Sequence, residues 1–333
     1  PIYIISKGRW ERRQTVKTME FTNTPYKIVV EPKEYNDYAN VIDEKNIIKA
    51  PENFSERGQG SVPVRNFVWQ HSIDNGFDWH WILDDNIESV ERFYNNLKIK
   101  CKTSTPFRII EHFVDRYENI GQAGMHYGIF CPASEARPPL HFNTRVYSCI
   151  LQNNKIKHRW RGKYNEDTDL SLRILKDGWV TVLFRTFLIG KRATLTQKGG
   201  NADIYSETDN RLEFAQSLVH QHPDVVKLTK KFNRFHHQVN YKPFADNDLI
   251  FKKGIHLKNK NNDYGLALIK NEATNIYEHY DCYNDNYLIE IKSRQREYNP
   301  WIIEKYKYDK NYTQATKDKK LFIYVTEYKT RII

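Results

Sequence analysis

An α/β fold built on a largely parallel sheet is what this 333-residue chain predicts, and three observations predict it. Short β-branched runs alternate with segments of helical spacing through the first half, the pattern of strand–helix–strand units. Several of the apolar runs end abruptly in charged residues, as strands do where the carboxyl ends of a sheet form a binding rim. Hydrophobic residues are 39% of the sequence, enough for a core in one large domain or two ordinary ones.

Pro1–Ser6 reads as the first strand, turned by Lys7-Gly8-Arg9. Arg12–Asn23 has helical spacing, Tyr26–Val30 is a second strand ending at Glu31-Pro32, and Val41–Lys49 contributes a third. Asn53–Pro63 is a polar, Gly-containing loop, mobile by composition. Val64–Asn75 is a helix stopped by Gly76, and it leads into the strand Trp79–Asp85. Tyr127–Phe130 and Arg145–Leu151 read as further strands, with Pro132–Pro139 an irregular loop between them, placed to meet an acceptor. Asp167–Lys176 carries Leu170, Leu172, Ile174 and Leu175 on a helix face, Gly178 caps it, and Trp179–Phe184 is another strand. The tips Lys7–Trp10, Glu31 and Asp84–Asn86 are expected on one rim. Composition shifts near residue 245, which divides the chain into a domain over 1–245 and an Asn/Lys/Tyr-rich extension over 246–333.

Net charge is +11 and unevenly placed. Residues 1–154 hold 19 Lys/Arg against 19 Asp/Glu, residues 155–245 hold 17 against 9, and residues 246–333 hold 16 against 13. A basic field over 155–245 favours a polyanionic partner or an anionic leaving group. The four cysteines show no CxxC spacing, which argues against a zinc or disulfide framework and for a reducing cytosol. No run of about 18 apolar residues and no secretory leader stands in the sequence, so a cytoplasmic protein without a membrane partner is expected.

Two acidic knots carry the chemistry. Asp84-Asp85-Asn86 closes an apolar strand, and Asn165-Glu166-Asp167-Thr168-Asp169 opens an amphipathic helix. Carboxylates at a strand end are costly without a compensating cation or hydrogen-bond network. Mg2+ or Mn2+ on a diphosphate ester takes one or two such hard oxygen ligands, phosphate and water filling the rest. Asp84 and Asp85 point to opposite sides of the strand. Asp85 is therefore favoured as the metal ligand, with Asp84 or Asn86 holding ribose or orienting the site. At the second knot, free backbone N–H groups and the helix dipole stabilise a carboxylate able to act as general base. Asp167 is the first candidate, with Glu166 and Asp169 beside it; one of the three acts as an ordinary N-terminal helix acid.

WILDDN followed by YNEDTDLSLRILKDGW resembles the DXD and "ED" motifs of inverting GT-A glycosyltransferases. Ser6-Lys7-Gly8-Arg9 after the first strand and Val64-Arg65-Asn66 before the DXD strand fit the same pattern. More narrowly, TQKGGN at 196–201 and FHHQVNY at 235–241 are similar to the TET-associated glycosyltransferase group, found largely in phages and associated with sugar transfer onto 5-hydroxymethylpyrimidines in DNA. The resemblance spans roughly residues 1–245. It implies a GT-A (Rossmann-like) nucleotide-sugar fold, a UDP-sugar donor, Mn2+ or Mg2+, and a hydroxymethylated base, 5-hydroxymethylcytosine first, as acceptor, flipped out or single-stranded. Asp167 would be the base and Asp85 the metal anchor. Ser6, Lys7, Arg9, Glu31, Arg65, Asp84 and Asn86 would serve the nucleotide-sugar. Lys198, Gly199 and Gly200 offer a cation and backbone N–H groups to the departing diphosphate. His236 or His237 would be a late metal ligand, with His220 and His222 a weaker alternative, and Trp160 would stack on the acceptor base. A polysaccharide or protein acceptor on the same fold remains open, as does a metal-dependent nuclease or DNA-binding protein.

Overall fold

The computed structural model describes residues 1–94, 96–132, 138–191, 210–231 and 234–252, and short pieces beyond 268. The first sheet opens with β1 (Ile2–Ile5), followed by helix α1 (Gln14–Phe21), β2 (Lys27–Val30), the short α2 (Tyr35–Ala39) and β3 (Ile47–Lys49). Helix α3 (Val62–Asp74) leads to β4 (Trp79–Asp84), then the hairpin β5 (Ile87–Tyr94) and β6 (Leu97–Lys100). Next come α4 (Thr105–Val114), β7 (Ile120–Tyr127), β8 (Leu140–Phe142), β9 (Cys149–Asn153), α5 (Glu166–Lys176) and β10 (Val180–Lys191). Helix α6 (Arg211–Gln221) and the antiparallel pair β11 (Val226–Lys231) and β12 (Arg234–Val239) follow.

Strand order is β3-β2-β1-β4-β9-β7-β10-β5-β6, with β8 alongside β10. Pairings among β3, β2, β1 and β4 are parallel, as expected of strands returned by crossover segments. Beyond β4 the sheet is mixed: β9 runs antiparallel to both β4 and β7, β7 and β10 are parallel, and β5 and β6 add an antiparallel edge. Residues 87–100 lack the helical crossover of the first half, so tight turns force antiparallel pairing there.

Alternation along β4 assigns its faces. Ile82 joins Tyr3, Trp69, Leu170 and Ile174 in the main core, which α3 and α5 cover. Trp81 faces the other way, edge-on to Phe107 of α4 at 5.0 Å, with its indole N–H donating to Glu111. The far side of α5 forms a second core, where Leu172 and Leu175 pack with Leu218 of α6, Val226 of β11 and Phe244. Helix α5 is thus held from two sides, which fixes its N-terminus.

The expected strand at Tyr127–Phe130 is instead a short 3-10 turn after β7. Strand β7 itself (IGQAGMHY) has apolar patterning too weak to mark a strand in the sequence. Its Gly124 is required by close packing, because a Cβ there would overlap the Cys149 carbonyl oxygen and the Val146 side chain. Backbone cannot give way as a flexible side chain can, so Gly124→Ala is expected to destabilise by about 1–3 kcal/mol in denaturant melts.

The chain divides into Pro1–Ile250 and Phe251–Ile333. In the second unit the described pieces are β13 (Ile269–Lys270), β14 (Cys282–Tyr283), β15 (Tyr287–Arg294) and β16 (Leu321–Tyr328), in that order in one sheet, with β15 and β16 parallel. Among the described residues no helix is long and apolar enough to cross a membrane.

Candidate active site

The parallel half of the sheet brings its carboxyl ends together. Ile5 of β1 pairs with Asp84 of β4, so Ser6 and Asp85 emerge side by side, and β2 delivers Glu31 to the same rim. Helix α1 pins the acidic turn from beneath. Thr15 Oγ1 donates to the Asp84 carbonyl at 2.6 Å and accepts from the Ile87 N–H at 2.9 Å, while Thr18 Oγ1 donates to the Ile87 carbonyl. A cleft of about 750 Å3 opens at this rim. Ser6, Lys7, Arg9, Glu31, Arg65, Asp84, Asp85, Asn86, Glu166 and Asp167 all line it, so ten of the sequence-predicted site residues meet in one place.

Arg65 joins the two acidic knots. Its guanidinium donates to Asp84 Oδ1 at 3.1 Å and lies 3.7 Å from Glu166 Oε1, and its Nε also donates to Ser61 Oγ. Ser61 in turn donates to Glu166 at 2.9 Å. The Arg65 side chain is only 6% exposed and lies over the Trp160 ring at 4.8 Å. A buried guanidinium held this way serves as a fixed crossbrace between the β4 end and the α5 start. Trp160, itself 2% exposed, is the platform under Arg65 and is not available to stack on an acceptor base.

Every carboxylate oxygen of the acid pair accepts a hydrogen bond. Asp84 Oδ1 takes Arg65; Asp84 Oδ2 takes Lys191 Nζ and Ser148 Oγ, both at 2.6 Å. Asp85 Oδ2 takes Ser6 Oγ at 2.8 Å, and Asp85 Oδ1 takes the Arg9 guanidinium. Burial would raise the Asp84 pKa, but the charges of Lys191 and Arg65 outweigh it and hold the carboxyl well below the usual range. At Asp85 burial wins over Arg9 and Ser6, and its pKa is raised. Lys191, raised by Asp84 despite its own burial, is firmly cationic.

Lys191 was not among the expected site residues. It closes β10, where the pairing with β5 slips between Gly190 and Lys191, a bulge that re-aims the side chain into the cleft. Gly190 permits it, since a Cβ there would overlap the Ser89 hydroxyl. Two non-glycine residues in the left-handed region also border the cleft, Ser148 (φ 61) and Asn165 (φ 53). Asn165 caps α5 with its backbone, and its side-chain amide is anchored on the Phe214 carbonyl at 2.8 Å. Backbone strain of this kind collects where function over-determines a position.

Asp167 sits at the mouth of α5 with Oδ1 accepting from the Thr168 N–H at 2.7 Å. Arg145, Tyr147, His237 and Tyr241 lie within its electrostatic reach. Burial would lower the Arg145 pKa, but Asp167 and the neighbouring tyrosines raise it. Glu166 is pushed up by burial, against Arg65 and Ser61.

Several expectations need correction. Asp169 does not line the cleft. It is 1% exposed and accepts from Arg161 and Arg173 and from His222 Nε2 at 2.9 Å, so it is the structural anchor of α5. Glu31 lines the cleft but spends both oxygens on Ser55, accepting its N–H and hydroxyl at 2.6 Å each, and so ties down the loop read as mobile. His236 is exposed on β12; His237 lies on the Asp167 side, its pKa lowered by burial and Arg145; neither lines the cleft. His222 belongs to the Asp169 cluster. Lys198, Gly199 and Gly200 lie outside the described residues.

These contacts also test the expected divalent ion. Among the described residues no group of three His, Cys, Asp or Glu is placed to hold one. Mg2+ can manage with fewer protein ligands, so the occupied oxygens decide the matter. A divalent ion at either oxygen of Asp84 or at Asp85 Oδ1 would meet Lys191, Arg65 or Arg9, whereas Asp85 Oδ2 accepts from the neutral Ser6 hydroxyl. Like unit charges about 4 Å apart near a protein surface repel by about 4 kcal/mol, and a divalent ion doubles that. Three of the four carboxylate oxygens are engaged by cations, so the donor set as folded fits a divalent ion poorly.

A family model described as TET-Associated Glycosyltransferase matches residues 1–200, which include the central sheet, both acidic knots and Lys191. The chain belongs to that family. It is a glycosyltransferase, and the nuclease alternative is set aside. Among curated proteins none matches the chain. Apart from Asn210, the residues that line the cleft fall within the matched residues, whereas α6 and the β11–β12 hairpin lie beyond them.

Proposed function

We propose that this glycosyltransferase moves a sugar from a UDP-sugar to the hydroxyl of a 5-hydroxymethylpyrimidine in DNA, 5-hydroxymethylcytosine first, with inversion at the anomeric carbon. The observation that carries the reading is the Arg65 bridge, which holds the strand-end acids and the helix-start acids on one cleft. The parallel β3-β2-β1-β4 half, open at its strand ends, supports a GT-A type of nucleotide-sugar site. Among the described residues Asn86 Oδ1 is buried and meets no hydrogen-bond donor. A buried acceptor left bare is costly, so it suits a ribose or sugar hydroxyl as donor.

In this reading the acceptor oxygen attacks the anomeric carbon from the face opposite the diphosphate. The bond from that carbon to the β-phosphate oxygen breaks, and its electron pair leaves with the nucleoside diphosphate. The hydroxyl proton passes to Asp167. Arg145 lies within electrostatic reach of that carboxylate.

The acceptor side is aromatic and basic. Tyr127 stacks on Phe130 with ring centroids 5.7 Å apart, and Tyr147 meets Tyr127 edge-on at 4.4 Å; all three line the cleft. Exposed Lys163 adds charge to the cleft, and Lys227, Lys230 and Arg234 are exposed on the β11–β12 hairpin. Flat faces beside cations suit an unstacked base on a phosphate backbone.

Incubation of hydroxymethylated DNA with a panel of UDP-sugars, followed by digestion and mass spectrometry of the nucleosides, tests the acceptor. The expected result is one hexose or pentose added to the hydroxymethylpyrimidine. Unmodified DNA together with sugar transfer to carbohydrate or protein would sink the DNA reading and leave a glycosyltransferase of another acceptor class.

A further inference from the structure

The acid pair at the end of β4 is met by three cations, one of which, Arg65, also lies beside Glu166. Asp84 and Asp85 face Lys191, Arg65 and Arg9, three cations whose side chains are 11%, 6% and 13% exposed. All three line the cleft, so each presents charge to whatever occupies it. Each is held from more than one side. Lys191 Nζ donates to Asp84 Oδ2, to Ser148 Oγ at 2.9 Å and to Tyr127 OH at 3.2 Å. Arg65 is fixed by Asp84, Ser61 and Trp160. The backbone N–H of Arg9 donates to Tyr38 OH at 3.1 Å, and that phenol shares a 2.6 Å hydrogen bond with Ser6.

Resting on the nucleotide-sugar reading above, we infer that this cation triad, Lys191, Arg65 and Arg9, binds and stabilises the leaving diphosphate in place of a divalent metal ion, and that Asp84 and Asp85 act as positioning residues that hold the triad at the rim. The chemistry needs positive charge where the β-phosphate oxygen takes up the electron pair of the broken glycosidic bond, and an ammonium with two guanidiniums supplies it. Guanidinium groups match phosphate oxygens in planar, bidentate geometry, and a lysine ammonium serves as a compact point charge. Both carboxylates then have a physical reason to be buried: they neutralise and aim cations that would otherwise repel one another. The bulge at Gly190/Lys191 has the same purpose, since regular β-strand geometry would carry the side chain elsewhere.

The experiment is calorimetric titration of the full chain with UDP, once in EDTA and once in excess Mn2+, with a protein-free Mn2+/UDP titration subtracted. The expected result is binding of equal strength in both, within about twofold, because the protein supplies the counter-charge. Binding that appears only with Mn2+, or that strengthens by about tenfold or more, overturns the triad and leaves the nucleotide-sugar reading standing. No UDP binding in either condition overturns both. Lys191→Gln is expected to weaken UDP binding in EDTA by about tenfold or more, and Lys191→Arg to keep it within about threefold. A folded Lys191→Gln protein that binds UDP as the parent does would overturn the role of Lys191. Should that variant not fold, the chelator comparison on the unmodified protein still decides the question.

Discussion

Replacing Asp167 with Asn is expected to lower the rate of sugar transfer by about 10²–10⁴-fold while leaving UDP binding close to that of the parent protein. Its carboxylate lines the cleft at the start of α5, lies within electrostatic reach of Arg145, and has one oxygen committed to the Thr168 N–H. Asn keeps the shape and the backbone contact but cannot accept the proton of an acceptor hydroxyl. Initial rates on hydroxymethylated DNA, beside calorimetric UDP titration, separate the two effects. Transfer within tenfold of the parent rate would remove Asp167 from the role of base. Loss of UDP binding would instead place the residue on the donor side.

Asp169→Asn should have the largest effect on stability, a loss of about 3–5 kcal/mol in denaturant unfolding. The carboxylate is buried among Arg161, Arg173 and His222, and removing its charge strands Arg173, whose side chain is 12% exposed. The effect should depend on pH with a definite sign. Burial would raise the Asp169 pKa, but hydrogen bonds from His222, Arg161 and Arg173 outweigh it and hold the folded value well below the ordinary carboxylate range. A depressed folded pKa means the proton is bound more readily in the unfolded chain. The stabilisation is therefore complete above the unfolded carboxylate pKa of about 4 and fades as pH falls through the folded value. Parallel melts should show a wide gap between parent and variant at pH 7 that narrows below about pH 4. A gap that widens on acidification would contradict the assignment.

Much of the site was legible from local pattern. A strand of buried apolar residues that stops at Asp84-Asp85-Asn86, and a helix that starts with Glu166 and Asp167, are features of short segments, and the structure places both knots on the same cleft. The rim residues Lys7, Arg9 and Glu31 followed from one rule, that parallel strands expose their carboxyl ends together, and Ser6 from the resemblance of Ser6-Lys7-Gly8-Arg9. Lys191 was missed because a lysine at the end of an apolar strand has no local signature; its place in the cleft depends on a bulge against β5, about a hundred residues earlier. Asp169 was overvalued for the related reason that Glu-Asp-Thr-Asp gives four adjacent residues one appearance. Helical geometry turns Asp169 by two residues from Asp167, toward Arg173 and His222 and away from the cleft. Trp160 looked like a free stacking surface only because composition does not report burial.

Periodicity and strand-end chemistry, read from the residues alone, determined the α/β class, the order of the early elements and the two places where carboxylates gather. Those follow from interactions within a few residues, where side-chain spacing and capping preferences act. Tertiary structure alone decided which partners each acid meets. The pairing of Arg65 with both knots, the arrival of Lys191 at Asp84 and the capture of Asp169 by His222 join residues far apart in the chain. Electrostatic identity in a buried site is set by such neighbours, since at these distances one adjacent cation outweighs anything a carboxylate's own segment contributes.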